Sequence, residues 1–508
     1  MVPSPDPPPT TSKPLRILFV SPEAVPFAKT GGLADVAGAL PLALARLGHD
    51  VRLVLPRYRT IDGQAHGFQE WGRLTVPGGK GRIEATVEAA IVPIKGADRT
   101  RGVRVFAVRY DPYFDRDGLY QEAGTDYPDN LDRFAFFSRA VLELLVACRQ
   151  RDQWAPDILH THDWQTALCP IYLRSLSTEH SELRSLRTLF TMHNLGYQGI
   201  FPAAQYPKLG LPSNLFTPDG VEFYGSLNLM KGGVLFADFL STVSPTYSDE
   251  IQTKEYGFGL EGVLGTRRDR LVGIVNGIDT DIWNPEADSA IPAPYSAANL
   301  SGKVQCKVAL QKEFGLPARK VPVLVVVSRL AAQKGLDLVT DMVSELMGMH
   351  VQLIVLGTGE PEVEARLREL RSRFPDKIGL RIGFDEGLAH RIEAGGDAFL
   401  MPSRYEPCGL SQLISLRYGT VPIVRKTGGL VDTVLPYRDE GRSSSGTGFL
   451  FESATGAALQ DAVQQALTLY RDRPRWKQLV RAGMRTDVSW DRSAFLYDGL
   501  YRKMIEGR

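Results

Sequence analysis

Short apolar runs alternate with segments of helical periodicity along the second half of the chain. The apolar runs, which have the length of buried strands, lie at 323–327, 351–356, 378–382, 398–401 and 421–424. Segments with a helical pattern lie between them, at 336–347, 360–374, 388–392 and 410–418. Strands that alternate with helices in this way predict βαβ units and a parallel sheet covered by helices on both faces.

The first half repeats this alternation less regularly. Strands are predicted at 16–20, 51–55, 103–108, 157–160, 186–191 and 240–243. Residues 60–130 hold further β-like and turn-rich segments, which predict an insertion that carries loops over a site. The expected fold class is therefore α/β, with two doubly wound parallel-sheet domains of Rossmann type.

Four regions are expected along the chain. A disordered tail rich in proline covers 1–14, the first domain 15–270 and the second domain 271–485. The run at 271–275 is interpreted as the first strand of the second domain. A last helix lies within 486–508, has no strand after it, and is expected to pack back on the first domain.

The composition limits which partners and which cellular compartment are expected for this protein. The 508 residues are 43% hydrophobic and 23% charged, and the net charge is +1. This balance gives no reason to expect nucleic acid or a membrane surface as the main partner. No apolar run approaches the roughly 20 residues of a membrane span, and the tail lacks the apolar core of a secretory signal. Four scattered cysteines favour reduced thiols in the cytoplasm over a zinc ribbon or a disulfide framework.

The pentapeptide Lys-Thr-Gly-Gly-Leu occurs twice, at 29–33 and 426–430, and an aspartate follows each copy, at Asp35 and Asp432. Each copy comes after a strand-like run and opens a predicted helix. Paired glycines let backbone N–H groups approach phosphate or sugar oxygens, and a helix N-terminus favours negative charge. The alternative is that each glycine pair only makes a tight strand-to-helix turn.

Polar residues also follow other predicted strands, where open parallel sheets bind their ligands. His160 and His162 end one strand and His193 follows the next, so three imidazoles could gather. A zinc site is one interpretation. The other is that the histidines bind a polar ligand through hydrogen bonds and that one of them is structural.

The second half contributes charged residues at equivalent places. Arg329 and Lys334 follow the strand at 323–327, where they could bind phosphate or be solvated surface charges. Glu406 precedes a helix, where a carboxylate could cap the helix or bind sugar hydroxyls. Cys408 lies beside it and would need a base to act as a nucleophile.

Three further motifs give weaker signals. The Asp-x-Asp segments at 115–117 and 279–281 could bind a divalent ion but lie in turn-rich sequence, where aspartate is common. The Gly-x-Gly segment at 357–359 lacks the third glycine of a dinucleotide fingerprint. A nicotinamide oxidoreductase is therefore disfavoured.

Taken together, the motifs resemble those of bacterial glycogen synthases and plant starch synthases, the ADP-glucose-using branch of the GT-B glycosyltransferases. The resemblance extends from Arg16 to about Lys503 and depends on the order and spacing of several short stretches. These are 29–36, 160–164, 193–199, 243–247, 276–279, 328–330, 333–337, 406–410 and 426–430.

The resemblance implies a GT-B fold with two Rossmann-like lobes facing a central cleft. It also implies a retaining transfer of glucose from ADP-glucose to the non-reducing end of an α-1,4-glucan. The expected partners are this nucleotide-sugar donor and this glucan acceptor, with no cofactor and no metal. A transferase that uses UDP-glucose or a small sugar acceptor is the first alternative, and a catalytically silent glucan-binding protein is the second.

By the same resemblance, residue roles carry over position by position. Arg329 and Lys334 would bind the diphosphate and stabilise the leaving group, and Glu406 would bind the donor glucose. His162 and Asp129 match a histidine near the transferred glucose and an acid before a helix. Further donor contacts are expected at Lys29, Gly31, Gly32, Thr427, Gly428 and Gly429, and further sugar contacts at His193, Asn194, Asn276 and Cys408.

One position departs from the wider GT-B pattern. Many relatives have a second glutamate eight positions after the first, which binds ribose, whereas this chain has Ile414 there. Isoleucine is usual for the synthase branch, and it leaves ribose recognition unassigned.

Overall fold

The computed structural model describes residues 13–78, 81–96, 101–122, 124–175, 183, 185–439, 441 and 444–507. The tail expected over 1–14 lies outside the described residues as far as residue 12. In the part of the chain that is described, no helix has both the length and the apolar character needed to cross a membrane.

The strands, in chain order, are β1 (Arg16–Val20), β2 (Asp50–Pro56), β3 (Gln69–Gly78), β4 (Gly81–Pro93), β5 (Gly102–Arg109), β6 (Gln121–Glu122), β7 (Thr125–Asp126), β8 (Ile158–His162), β9 (Arg187–Met192), β10 (Ile200–Pro202), β11 (Glu222–Phe223), β12 (Ser226–Asn228), β13 (Phe239–Thr242), β14 (Leu271–Gly273), β15 (Val323–Val327), β16 (Gln352–Gly357), β17 (Ile378–Ile382), β18 (Ala398–Met401), β19 (Val421–Arg425), β20 (Arg438–Asp439), β21 (Ser444–Ser445) and β22 (Phe449–Phe451).

The α-helices are α1 (Gly32–Arg46), α2 (Asp111–Phe114), α3 (Asn130–Asp152), α4 (Leu168–Ser175), α5 (Leu229–Phe236), α6 (Pro245–Glu250), α7 (Glu261–Thr266), α8 (Ser301–Glu313), α9 (Leu336–Gly348), α10 (Pro361–Arg373), α11 (Glu386–Gly395), α12 (Ser411–Arg417), α13 (Gly428–Thr433), α14 (Gly456–Arg471), α15 (Arg473–Met484) and α16 (Trp490–Glu506).

The chain forms two compact units. Among the described residues, the first unit contains 13–243, 248–276 and 490–507, and the second contains 244–247 and 277–489. The main sheet of the first unit has the strand order β14-β13-β9-β8-β1-β2-β5-β4-β3. β1 has β2 on one side and β8 on the other, and both run parallel to it. The chain first adds strands on the β2 side and later on the β8 side. The strand order therefore reverses at β1, where an open α/β sheet offers a crevice for ligands.

The second unit contains a parallel sheet of order β17-β16-β15-β18-β19-β22. Its strand order reverses at β15, which pairs with β16 on one side and β18 on the other. Alternate residues of β15 enter different cores: Leu324 and Val326 pack in one cluster, and Val323 and Val325 in another. This double burial explains why the strand is an unbroken run of branched apolar residues. The predicted α/β class with doubly wound parallel sheets is confirmed.

Two strand assignments need comment. β14 pairs in parallel with β13 in the first unit, so the prediction that 271–275 begins the second sheet was wrong. A short apolar strand has the same sequence pattern in either sheet, because its partner is chosen by tertiary packing. Within 60–130, β3 and β4 form an antiparallel extension of the first sheet, beside β5.

The last helix, α16, contributes buried aromatic and charged groups to the first unit. The Tyr501 hydroxyl lies 2.8 Å from Nδ1 of His160 on β8. Asp498 forms ion pairs with His49 at 3.0 Å and with Arg502 at 2.9 Å. Because Tyr501 is fully buried, the helix supplies core packing as well as polar contacts.

Replacing Tyr501 with alanine should lower the free energy of unfolding by about 3–5 kcal/mol, since it leaves a large cavity and removes the partner of a buried imidazole. Chemical denaturation of the full chain measures this change. Leu496→Ala is the matched control, because Leu496 lies on the same helix and is 41% exposed. Equal effects of the two substitutions would show that α16 is not a core element of this unit.

Candidate active site

In the second unit, three loops meet at the carboxyl ends of the neighbouring strands β15, β18 and β19. The loop 328–335 carries Arg329 and Lys334, the loop 402–410 carries Glu406, and the second Lys-Thr-Gly-Gly-Leu segment follows β19. Because β15 is where the strand order reverses, the fold places these charged residues at the crevice of the sheet.

Lys334 and Glu406 form the central contact of these loops. The Lys334 Nζ lies 2.6 Å from Oε2 of Glu406, which also accepts a hydrogen bond of 2.9 Å from the Ser403 hydroxyl. Glu406 is buried, and an unpaired carboxylate would be costly there. Arg329 is exposed and donates to the Gln333 side chain at 3.2 Å. The loops therefore hold one cation against an anion and present a second cation to solvent.

Close backbone approach fixes the loop that carries Arg329. A Cβ at Gly357 would lie 2.0 Å from the Ser328 carbonyl oxygen, and one at Gly359 would lie 2.3 Å from that of Leu330. Gly335 has a φ of +65°, and a Cβ there would lie 2.1 Å from the Pro402 carbonyl oxygen. The Gly-x-Gly motif at 357–359 thus has a packing role, which accounts for its incomplete dinucleotide pattern.

The second copy of the pentapeptide is fixed by its glycines. The Gly429 N–H donates to the carbonyl oxygens of Glu406 and Pro407 at 3.1 and 3.2 Å. A Cβ at Gly429 would lie 2.4 Å from the Cα of Cys408, a buried residue. Lys426 instead points to the surface and pairs with Glu452 at 3.0 Å. Only glycine allows this loop to pack so closely on the segment that carries Glu406.

The aspartate after this copy also has a structural partner. Asp432 accepts hydrogen bonds from the backbone N–H of Thr246 at 3.0 Å and from its hydroxyl at 2.7 Å. Thr427 is buried, and Gly428 begins α13 with a φ of +44°. The segment 427–429 therefore brings the N-terminus of a helix next to Glu406.

The first copy has a different environment. The Lys29 Nζ lies 2.7 Å from Asp35 in the first turn of α1, and both side chains are partly exposed. A Cβ added at Gly31 would meet nothing within 4 Å. Packing within the protein therefore does not require glycine at 31, in contrast to Gly429.

A buried carboxylate supports this first loop. Glu23 accepts hydrogen bonds from the backbone N–H of Thr30 and from its hydroxyl. Burial raises the pKa of Glu23 to about 7, although the bonds from Thr30 lower it. No sequence signal identifies Glu23, because a single glutamate near a strand is common and its partner is set by the folded loop.

The three predicted histidines lie together. The His160 and His162 ring centres are 4.2 Å apart, and His162 Nδ1 lies 3.0 Å from His193 Nε2. His160 is bonded at both ring nitrogens, to Tyr501 and to Thr191. Nε2 of His162 is buried and has no hydrogen-bond partner in the structure. His160 thus has partners at both ring nitrogens, while Nε2 of His162 has none among the described residues.

Burial keeps these rings uncharged. It lowers the pKa of His193 to about 3, and burial together with the neighbouring imidazoles holds the pKa of His162 well below its usual value. A neutral imidazole has one donor and one acceptor nitrogen. The cluster can therefore bind hydroxyl groups without adding charge to the site.

Asp163 positions His193 and was not singled out in the sequence. Its carboxylate accepts a hydrogen bond of 2.7 Å from the His193 backbone N–H, and burial raises its pKa to about 7. Its φ of +56° is uncommon for a residue other than glycine. Backbone strain of this kind collects at functional sites. The only signal in the sequence was its place in the His-Thr-His-Asp-Trp segment.

Asp129 is held by an arginine. It receives two hydrogen bonds from Arg116, at 2.7 and 2.5 Å. Burial acts to raise the pKa of Asp129, but the Arg116 bonds outweigh it and the pKa lies below its usual value. Asp129 is also the residue directly before α3, but its side chain makes no hydrogen bond that caps this helix.

The two Asp-x-Asp segments serve structural contacts. Asp115 and Asp117 pair with Arg59 at 2.8 and 2.6 Å, and Asp279 accepts from the Asp281 N–H in a turn. Across the described ranges, no group of three or more histidine, cysteine, aspartate or glutamate side chains is placed to hold a metal ion.

Two asparagines complete the predicted set. Asn194 follows His193 and accepts a hydrogen bond of 2.9 Å from the Gly196 N–H. Asn276 is buried, and its Oδ1 has no hydrogen-bond partner in the structure. The structure thus groups His162, His193 and Asn194 in one unit, and Lys334, Glu406 and Gly429 in the other.

Comparison with known proteins identifies the family of this chain. The family model described as starch synthase catalytic domain matches residues 16–266, and that described as glycosyl transferases group 1 matches 309–482. The chain is 48% identical to glycogen synthase 2 of Geobacter sulfurreducens, with 97% of this chain and 100% of the relative covered. It is 49% identical to the glycogen synthase of Anaeromyxobacter sp. strain Fw109-5, with 96% and 99% covered.

Solved structures give the same result. The catalytic domain of starch synthase IV from Arabidopsis thaliana, bound to ADP and acarbose, superposes with a TM-score of 0.88 at 34% identity, and 97% of this chain and 100% of that chain are covered. Sucrose-phosphate synthase from Thermosynechococcus elongatus, at 17% identity and a TM-score of 0.58 over 97% and 100% of the two chains, shares the fold. The chain therefore belongs to the family of glycogen and starch synthases, glycosyltransferases of the GT-B fold that elongate a glucan by glycosyl transfer.

Proposed function

We propose that this enzyme transfers glucose from ADP-glucose to the non-reducing 4-hydroxyl of an α-1,4-glucan and retains the anomeric configuration. The observation that carries the proposal is the contact of Lys334 with Glu406 beside Arg329, at the switch point of a sheet in a chain of this family. The related starch synthase IV structure contains ADP and acarbose, a nucleotide and a sugar-like ligand, which supports both the donor and the acceptor.

Arg329 and Lys334 would bind the donor diphosphate. Negative charge grows on this group as its bond to the glucose carbon breaks, and fixed cations stabilise that charge most in the transition state. Arg329 offers a planar fork for phosphate oxygens and Lys334 a single ammonium group. Lys29 would add a third positive charge from the loop that Glu23 supports.

Backbone groups would add to these contacts. We assign donor contacts to Gly31, Gly32, Thr427, Gly428 and Gly429, since both segments lie where a helix begins and the positive end of the helix dipole favours an anion. The Gly429 N–H itself is bonded to the Glu406 and Pro407 carbonyl oxygens, so Gly429 would contribute through close backbone approach. The open space beside Gly31 supports the approach of a ligand to that segment.

The transferred glucose would be bound by neutral and acidic groups. Glu406 would accept hydrogen bonds from its hydroxyls while Ser403 and Lys334 hold the carboxylate in place. His162 would bind a hydroxyl through the buried Nε2 that lacks a protein partner. Asp129 would act through the guanidinium of Arg116, to which its carboxylate is bonded. Further sugar contacts are proposed for His193, Asn194, Asn276 and Cys408.

We further propose that the reaction needs no metal and that the enzyme works in the cytoplasm. Three cationic side chains can offset the diphosphate charge that a divalent ion offsets in other transferases. The cysteines at 148, 169, 306 and 408 form no disulfide bond, which suits a reducing compartment. The second candidate donor is UDP-glucose, because the resemblance leaves the residues that bind the nucleoside unassigned.

The donor and metal proposals are tested in one assay. The full chain is incubated with glycogen and either radiolabelled ADP-glucose or UDP-glucose, with a chelator present. We expect incorporation of label from ADP-glucose in excess of UDP-glucose, and no loss of rate with the chelator. No incorporation from either donor contradicts the proposed function, and loss of activity with the chelator contradicts metal independence.

The same assay tests the roles proposed for the cationic side chains Arg329, Lys334 and Lys29. Arg329→Ala and Lys334→Ala should each reduce kcat/KM by an amount equivalent to about 3 kcal/mol of transition-state stabilisation. Lys29→Ala should reduce it far more than the matched control Lys426→Ala, because Lys426 is an exposed partner of Glu452.

Rates like those of the unchanged enzyme in both Arg329→Ala and Lys334→Ala would show that the phosphate site lies elsewhere. Similar effects at Lys29 and Lys426 would show that the two copies of the pentapeptide do not differ in function.

Glu23, which supports the loop that carries Lys29, predicts that the stability of the protein depends on pH. Because burial raises the pKa of Glu23 from 4.5 to about 7, the folded state binds this proton more tightly than the unfolded chain. Its stabilising contribution is fully present below pH 4.5 and is lost as the pH rises to about 7. In Glu23→Gln, which cannot titrate, the free energy of unfolding should fall less over this window. Urea denaturation at several pH values measures the slopes, and parallel slopes would contradict the assignment.

A further inference from the structure

Two turns in the first unit place a large aromatic residue where glycine or asparagine is favoured. Tyr224 and Gly225 have φ angles of +48° and +79°, and Phe258 and Gly259 have +49° and +84°. The left-handed region is unfavourable for bulky side chains, and asparagine or glycine is the usual choice there. The first of these turns is the hairpin between β11 and β12, and the second lies in the loop before α7. Tyr224 is also 85% exposed, so burial in the core does not compensate for this cost.

The two turns lie side by side. A Cβ at Gly259 would be 2.9 Å from Cζ of Phe223 and 3.6 Å from Cε2 of Tyr224. The Phe223 and Tyr224 rings are themselves 4.7 Å apart in an edge-to-face contact. The rings of the first turn therefore pack next to the backbone of the second turn.

A buried glutamine joins the second turn to the loop of His193. The Gln198 side chain donates to the Phe258 carbonyl oxygen at 3.1 Å and accepts from Asn228 at 2.5 Å. Tyr197, which precedes Gln198 and follows His193 in the same loop, is 53% exposed. Phe258 is 40% exposed, so the loop of His193 and the two neighbouring turns each carry an exposed aromatic residue. We call Tyr197, Tyr224 and Phe258 the aromatic shelf.

We propose that the aromatic shelf binds the body of the α-1,4-glucan acceptor by stacking its sugar rings on the three aromatic side chains. This inference rests on the proposed function, in which the non-reducing end of the acceptor reacts near His162 and His193. The rest of the chain must then lie on a neighbouring surface. Glucose rings are uncharged and have apolar C–H faces bordered by hydroxyls, which suits aromatic rings that carry a phenolic group at two of three positions.

The size of the shelf favours a glucan over a second copy of the protein. A stable protein interface needs about 800 Å² on each partner, whereas three partly exposed side chains supply far less. A cluster of exposed aromatic residues on a local surface is nevertheless unusual and marks a binding site. Both turns have an aromatic residue in an unfavourable region of backbone conformation. This indicates that the aromatic ring, and not the turn, is the feature that matters at these positions.

The test replaces the ring and keeps the turn. Tyr224→Asn introduces a residue that favours the left-handed region, so the thermal unfolding midpoint should be unchanged or raised. Retardation of the full chain in gels that contain glycogen should weaken, and KM for glycogen should rise, by about three- to tenfold, the change expected for one aromatic contact. KM for ADP-glucose should stay the same. Tyr224→Phe, which keeps the ring, should behave nearly like the unchanged enzyme.

Several outcomes would overturn the proposal. Unchanged glycogen retardation and unchanged KM for glycogen in Tyr224→Asn would show that the ring does not bind glucan. A changed elution volume in gel filtration with unchanged retardation would identify the shelf as an interface between copies. Retardation in glycogen gels needs no nucleotide-sugar donor, so it tests glucan binding by the shelf independently of the donor assay. Failure of the donor assay would contradict the proposed function and not glucan binding by the shelf.

Discussion

The parallel alignment of strands around a reversal of strand order is the constraint on which both sites depend. Parallel strands bring their carboxyl ends to one edge of the sheet, and the reversal at β1 and at β15 leaves that edge open to a ligand. Loops that are distant in sequence become neighbours for this reason. Lys334 and Glu406, which follow β15 and β18, meet at 2.6 Å only because those strands pair.

Close contact between backbones then makes the loops rigid. Gly335, Gly357, Gly359 and Gly429 each lie where a Cβ would be within 2.4 Å of another backbone atom. A loop held in this way keeps its charged side chains in place before a substrate arrives, which is what electrostatic catalysis requires. The first unit uses a different means, because Glu23 and Asp163 fix their loops through buried carboxylates that accept backbone N–H bonds.

Strand periodicity and strand-end residues could be predicted from the sequence, because each depends on local pattern. The alternation at 323–424 identified the second sheet, and the polar residues after its strands included Lys334 and Glu406. Partners set by tertiary structure could not be predicted in the same way. β14 joined the first sheet, and the roles of Glu23, Asp163 and Gln198 depend on backbone groups that are brought near only by folding. The shelf was missed because the sequence does not show that Tyr224 has a positive φ.

The Lys334–Glu406 contact has a consequence for selectivity among anions. In the protein without substrate, the ammonium group is already neutralised by a buried carboxylate 2.6 Å away. An anion that binds Lys334 must compete with that carboxylate, and the negative charge of Glu406 repels it unless the ligand also brings hydrogen-bond donors. A nucleotide sugar brings hydroxyl donors together with its phosphates, so it can replace the contact on both sides at once. Under the proposed function, the pair would favour an anion that carries many hydroxyl donors over one that carries few.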